Sequence, residues 1–348
     1  SRRSFLKGGA ALGAGLATMT VLQRTTLAAA SNRLAAANAY YQDKPLAADQ
    51  VVRLPEGEPV RFDPGVTSGG KGLEMLQNLF EGLVTIDQRD GSLQMGVAEA
   101  MDVNDDQTEF TFTLRDGVVW SDDTPLTAKD FEWSWKRVLD PATKSEYTSA
   151  LYPLKNAAAI DSGDAELDTL GVKATDDKTL VVTLEAATPF FPLLAATWTY
   201  YPVPQHTIEE YGEAWVEAGN MVSNGPYVLT EWNHDQNMVL ERNEKYFGEK
   251  PTITRGEFTL FADPVAQALV AFEADELDQA QVAGADLDRV KNDPDLGPLV
   301  QIFPRSGTQF IVMDTTNPPT DDVRVRQALA MAIDRDALAN GGLKGELA

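Results

Sequence analysis

The chain has 348 residues, 43% hydrophobic and 24% charged, enough for two or three domains with real apolar cores. It has no cysteine, which excludes disulfides, thiolate metal sites, cysteine nucleophiles and a cysteine-borne lipid anchor; two histidines, His206 and His234, are too few for a histidine metal cage. A formal net charge of −24 repels nucleic acid and anionic lipid, and it reads first as a solubility device, with attraction of cationic ligands a lesser reading.

Residues 1–30 carry Arg2, Arg3, Lys7 and Arg24 and no acid. Ser1-Arg2-Arg3-Ser4-Phe5-Leu6-Lys7 resembles a twin-arginine export motif. Gly8 to Leu22 is a weakly apolar run, too short and too rich in Ala and Gly to span a membrane comfortably. Thr26 to Ala30 offers an A-x-A cleavage site, so the segment has the basic, apolar and small-residue regions of a signal peptide. Residues 31–44 read as a flexible lead-in.

Gln50 to Leu54 reads as a strand and Arg61 to Gly65 as a turn. Gly65 to Gly72 fits G-x-x-x-x-G-K, but Gly72 stands where a phosphate loop needs Ser or Thr, and no apolar strand precedes it. Leu73 to Phe80 has helical spacing, and Phe110 to Leu114 alternates as a strand. Thr127, with Asp130 after it, caps a helix carrying Phe131, Trp135, Val138 and Leu139. Its Trp residues read as core, not as ligand stackers. Leu180 to Leu184 is a strand, and Thr188 to Leu194 a Pro-bounded helix start.

A helix is expected over Ile208 to Trp215, with His206 a surface or capping residue. Ser223-Asn224-Gly225-Pro226-Tyr227 is turn chemistry opening a β-hairpin, whose strands flank the polar stretch Asn233 to Asn237 around His234. Gly256 to Phe261 reads as a strand and Pro264 to Ala274 as a helix. Val300 to Phe303 and Gln309 to Met313 read as two further strands. Asp322 then caps a helix whose buried face is expected to be Ala328, Leu329, Ala332 and Ile333. The acidic pairs Asp122-Asp123 and Asp321-Asp322 read as solvated turn and cap residues.

Several blocks, in one order, resemble the extracytoplasmic solute-binding proteins of peptide ABC importers. They are Leu79-Phe80-Glu81-Gly82-Leu83, Trp120-Ser121-Asp122 with Thr124-Pro125, Asn224-Gly225-Pro226-Tyr227, and Asp322-Val323-Arg324-Val325-Arg326. Asp123 replaces the family's usual Gly, a change Asp tolerates because it enters the left-handed region more readily than most residues. Asp275 likewise stands where the family has Gly. Asp140-Pro141-Ala142-Thr143-Lys144-Ser145-Glu146-Tyr147 resembles the oligopeptide-binding branch in particular.

That resemblance implies an α/β, type II periplasmic-binding-protein-like fold of two lobes. Residues 45–85 and 203–304 would form lobe I, 86–202 a subdomain inserted in it, and 305–348 the start of an incomplete lobe II. It implies an oligopeptide ligand, membrane permease partners, a monomer, an extracytoplasmic location and no cofactor or metal. Ser68, Gly69 and Gly70 align with extended main chain that pairs with the peptide, Tyr147 with a tyrosine that faces it, and Gln281, Val282 and Ala283 with a strand end at the cleft. The family's anchors for peptide termini lie beyond the matched part, so none is assigned.

Alternatives are the same fold binding a dipeptide, a nickel complex or an oligosaccharide and, more distantly, an exported hydrolase. For the last, the chain offers no G-x-S-x-G and no H-E-x-x-H.

Overall fold

A computed structural model describes residues 47–87, 91–302 and 310–338. The export segment 1–30, the lead-in 31–44 and the final residues 339–348 lie outside them. The described chain falls into two compact units, one of residues 49–281 and the other of Ala47, Ala48 and the residues from Val282 onward.

The larger unit opens with β1 (Val51–Gly57) and α1 (Leu73–Leu79), which buries Leu76 and Leu79 of the expected face together with Met75, and leaves Leu73 half-buried. A short hairpin, β2 (Val84–Ile86) and β3 (Leu93–Met95), leads to β4 (Ala98–Val103) and β5 (Glu109–Leu114). In β5 the period of two turns Phe110, Phe112 and Leu114 inward. The expected capping box opens α2 (Ala128–Leu139): the Thr127 N–H donates to Asp130 Oδ2 at 2.7 Å. The helix buries Phe131, Trp135, Val138 and Leu139.

Next come α3 (Ala157–Asp161), β6 (Val172–Ala174), β7 (Thr179–Thr183) and α4 (Phe191–Ala195). The helix expected over Ile208 to Trp215 instead starts at Gln205, directly after Pro204. This α5 (Gln205–Tyr211) stops at Gly212, whose φ of 57° leaves the helical region, and Gly212–Val216 tightens into a 3₁₀ turn. The hairpin β8 (Tyr227–Asn233) and β9 (Asn237–Arg242) follows, then β10 (Arg255–Phe261) and α6 (Pro264–Glu273).

One sheet has the order β1-β10-β9-β8, with β1 parallel to β10 and the other pairs antiparallel. A second, wholly antiparallel sheet has the order β4-β5-β7-β6. The first therefore draws its strands from 51–57 and 227–261, and the second from 98–183. A bulge between Leu229 and Glu231 re-aims the hairpin. A single core of Phe80, Phe112, Trp120, Trp135, Phe191, Tyr200 and Trp215, all fully buried, is shared by both sheets.

The second unit holds α7 (Leu287–Asn292), α8 (Val323–Ala332) and α9 (Arg335–Ala337). Three expectations change here. Gln281, Val282 and Ala283 do not end a strand: 279–283 have no regular structure, and Ala283 begins a turn in which its carbonyl accepts from the Asp286 N–H at 2.9 Å. The strands expected at 300–303 and 309–313 are absent among the described residues, because the apolar runs Val300–Ile302 and Phe310–Met313 pair with no neighbour. In α8 the cap is as expected, with the Asp322 side chain accepting from the Arg324 N–H. Its apolar face is not buried: Ala328, Leu329 and Ala332 are exposed and Ile333 half-buried, since no described element covers them.

Candidate ligand-binding site

Three of the motif blocks, at 79–83, 120–125 and 224–227, meet through the segment 223–225. Asn224 Oδ1 accepts from the Glu81 N–H at 3.1 Å while its Nδ2 donates to the Glu81 carbonyl at 2.8 Å. The Gly225 N–H donates to the Leu79 carbonyl at 2.8 Å, and a Cβ at Gly225 would stand 2.6 Å from that carbonyl carbon. Only glycine permits this approach. Asn243 closes the other side, its Nδ2 donating to the Gly225 carbonyl at 2.9 Å. Ser121 and Ser223 exchange two bonds, at 2.9 and 3.1 Å. The Glu81 carboxyl accepts from the Tyr246 hydroxyl, and burial pushes the Glu81 pKa up despite that bond. These blocks therefore build a joint in which buried polar groups satisfy each other. They do not form a ligand surface.

A second polar knot prepares the loop that follows β1. Asp63 is buried and meets Arg137 of α2 in a two-pronged ion pair at 2.7 and 3.2 Å. Its Oδ2 also accepts from Trp215 Nε1 at 3.2 Å, its Oδ1 from the Gly65 N–H at 2.8 Å, and its carbonyl from the Val66 and Thr67 N–H groups at 3.0 Å. The chain thus enters 66–70 from a fixed turn.

The loop expected to meet a ligand is bent, not extended throughout: Gly69 and Gly70 have φ of 119° and 98°. Thr67 Oγ1 ties down both main-chain groups of Gly69 at 3.1 Å. The Val66 carbonyl accepts from the Glu146 N–H at 2.9 Å, and the Thr67 carbonyl from Trp198 Nε1 at 3.1 Å. The Gly70 carbonyl accepts from the Leu73 N–H at 3.3 Å. What is left is specific. Among the described residues, the Ser68 N–H and carbonyl and the Gly70 N–H have no partner.

Tyr147 comes to the same place. The Ser68 hydroxyl bonds Glu146 Oε2 at 3.1 Å, and that carboxylate pairs with Arg61 at 3.1 Å. The Tyr147 ring, 38% exposed, stacks on Trp198 with centroids 6.0 Å apart and planes 18° apart. Ser68, Gly69, Gly70 and Tyr147 therefore form one patch. Trp198 was missed at the level of sequence. Its only signal was a place in the aromatic run Trp198 to Tyr201, which says nothing of what it faces.

Gln281 is exposed, and no hydrogen bond or ion pair among the described residues joins it to the patch; Val282 and Ala283 belong to the other unit. The expected turn residues behave as such: Asp123 has φ of 75° and pairs with Lys245 at 2.6 Å, while Asp122 Oδ2 lies 2.8 Å from His206 Nε2. Among the described residues no group of three acidic or histidine side chains is placed to hold a metal ion.

Residues 92–347 match the profile of bacterial extracellular solute-binding proteins, family 5 (middle), and residues 1–19 match the twin-arginine translocation signal sequence. Arg2 and Arg3 thus belong to an export signal, and the chain is directed outside the cytoplasmic membrane. The chain is 36% identical over 298 residues to the probable deoxycholate-binding periplasmic protein YgiS of Escherichia coli, covering 85% of this chain and 55% of that protein. To the periplasmic oligopeptide-binding protein OppA of E. coli it is 36% identical over 296 residues, covering 83% and 53%.

Among solved structures, the E. coli murein tripeptide-binding protein MppA matches with a TM-score of 0.79 at 33% identity, over 87% of this chain and 59% of that one. Haemophilus influenzae OppA in complex with the peptide RPPGFSPFR matches at 0.75 and 30%, with the same coverage. The chain thus spans little more than half the length of these relatives. With the profile matched over most of its length and the α/β fold shared with these structures, it belongs to the family 5 extracellular solute-binding proteins.

Proposed function

We propose that this protein is the substrate-binding component of an ABC importer, a monomer that binds oligopeptides in an interlobe cleft and hands them to a membrane permease, breaking no bond. The observation that carries this reading is the set of unpartnered main-chain groups at Ser68 and Gly70, in a loop whose remaining polar groups are nearly all paired. Main-chain donors and acceptors bind an extended peptide whatever its side chains. Ser68, Gly69, Gly70 and Tyr147 are the contacts, and Gln281, Val282 and Ala283 join them by resemblance to the family. Residues 45–85 and 203–304 act as lobe I, with 86–202 inserted and 305–348 opening lobe II; the separate strand sources of the two four-stranded sheets support this division.

The experiment is a thermal-shift titration of the protein expressed from its complete reading frame, with mixed tri- to pentapeptides. Ligand at 100 times its Kd stabilises the folded state by about 2.7 kcal/mol. A shift with peptides and none with free amino acids or oligosaccharides supports the reading. Ser68→Pro removes one free donor together with the hydroxyl bond to Glu146, and is expected to weaken peptide binding about 10-fold, with the apo melting temperature measured alongside to separate any loss of stability. A second reading, a steroid-like solute, is favoured by the match to the YgiS protein. A shift with deoxycholate and none with any peptide would select it.

A further inference from the structure

Trp198 lies outside the family-like motif blocks, yet two contacts hold its ring. Its Nε1 donates to the Thr67 carbonyl at 3.1 Å. Its six-membered ring lies close to Gly69, where an added Cβ would stand at an ordinary contact distance of 3.7 Å. Its face stacks on Tyr147. Tyr147 is therefore a backed ring: one face rests on Trp198, the residue is still 38% exposed, and its hydroxyl has no partner among the described residues.

The nearest acid is already committed. Glu146, the acid next to this ring, is bound by Arg61 and by the Ser68 hydroxyl. On the other side Gly70 leaves room, since a Cβ there would meet nothing within 4 Å. The patch thus offers a flat aromatic face and free main-chain groups, and its nearest acid is already paired. A face held rigid in the free protein adds attraction for a planar side chain without having to be ordered first.

We propose that Trp198 and Tyr147 form a selectivity wall, which favours peptides carrying an aromatic side chain at the residue that pairs beside Ser68. This rests on the peptide-binding reading above and adds a preference to it. Trp198 acts through Tyr147 and is a positioning residue.

The test uses the protein from its complete reading frame and a panel of alanine tetrapeptides carrying one Phe, Lys or Glu at each position, with Kd measured by calorimetry. One Phe position is expected to bind about 2- to 10-fold tighter than the all-alanine peptide, the range of a single aromatic pair, and Lys or Glu there no tighter than Ala. Trp198→Leu is expected to bring the affinity ratio of Phe to all-alanine peptide down to about 1, and this ratio is read separately from any overall loss that follows the missing bond to Thr67. Trp198→Phe, which keeps a ring but loses the bond to Thr67, retains most of the preference; urea midpoints verify that both variants fold.

Equal binding of Phe and Ala peptides, a preference for Lys or Glu at that position, or a Phe preference that survives Trp198→Leu would overturn the wall and leave peptide binding standing. Failure of every peptide to bind would overturn both proposals.

Discussion

Two helices in this chain begin alike and end differently. Helix α2 is capped by Thr127 with Asp130, and α8 by Asp322. Both repeat apolar residues at helical spacing. Yet α2 buries Trp135 completely, while Leu329 and Met331 of α8 stand 45% and 82% exposed. Caps and periodicity describe what a helix can bury; whether it does so depends on what lies opposite. For α2 that is the second sheet and the segment around Tyr200, whose carbonyl accepts from Trp135 Nε1 at 2.9 Å. For α8, nothing among the described residues does so.

The largest expected effect exploits this difference. Trp135→Ala leaves a cavity in a closed core and strands the Tyr200 carbonyl, so urea unfolding of unit 49–281 should lose about 3–5 kcal/mol. A loss under about 1 kcal/mol would mean that α2 is no better packed than α8.

Next comes the cap. Asp130→Ala removes the acceptor for the Thr127 N–H and is expected to cost about 1 kcal/mol in the same measurement.

Smaller still is a pH effect in the hairpin turn. His234 Nδ1 lies 2.7 Å from Glu58, its Nε2 lies 3.1 Å from Glu217, its ring packs on Trp232 at 4.4 Å, and the neighbouring Asp235 N–H donates to Glu58. The hydrogen bond to Glu58, helped by Glu217, raises the His234 pKa above 6.5 against mild desolvation. A raised folded-state pKa means a contribution fully present below the ordinary histidine value and lost as pH rises through the raised one. These groups are half-exposed, so less than about 1 kcal/mol is at stake. The gap in urea midpoint between wild type and His234→Gln should close in alkaline solution; a gap that widens there refutes the assignment.

The smallest effect is the counterpart of the first: Leu329→Ala, on an uncovered face, should change stability by no more than about 0.5 kcal/mol. A loss of several kcal/mol would show that this face is covered in solution.

The legible parts of this chain were those decided within a few residues. Thr127 and Asp130 announced a helix start, Asn233 to Asn237 a hairpin turn, and Asp123 a left-handed position, because each depends on local geometry. Phe310 to Met313 misled because an apolar run becomes a strand only when a partner supplies its hydrogen bonds. Tyr147 and the Ser68 loop were found by likeness to a family and then proved to be neighbours. Trp198 was not found: its meaning lies in a stack with a residue remote in sequence, and no spacing rule encodes that. The bend at Gly69 and Gly70 was half legible, since two glycines announce freedom without saying which way the chain turns.

The Asp63 knot has a consequence for how tightly a ligand can be held. Fixing one residue's backbone removes conformational freedom worth about 1–2 kcal/mol. With Arg137, Trp215 and the turn at 63–67 pinning the loop's entry, and Thr67 Oγ1 pinning Gly69, that loss is part of folding and not of binding. On the peptide-binding proposal, a peptide reaching Ser68 would meet a loop edge that is already still, so weakening the buried Asp63 should appear as lost affinity.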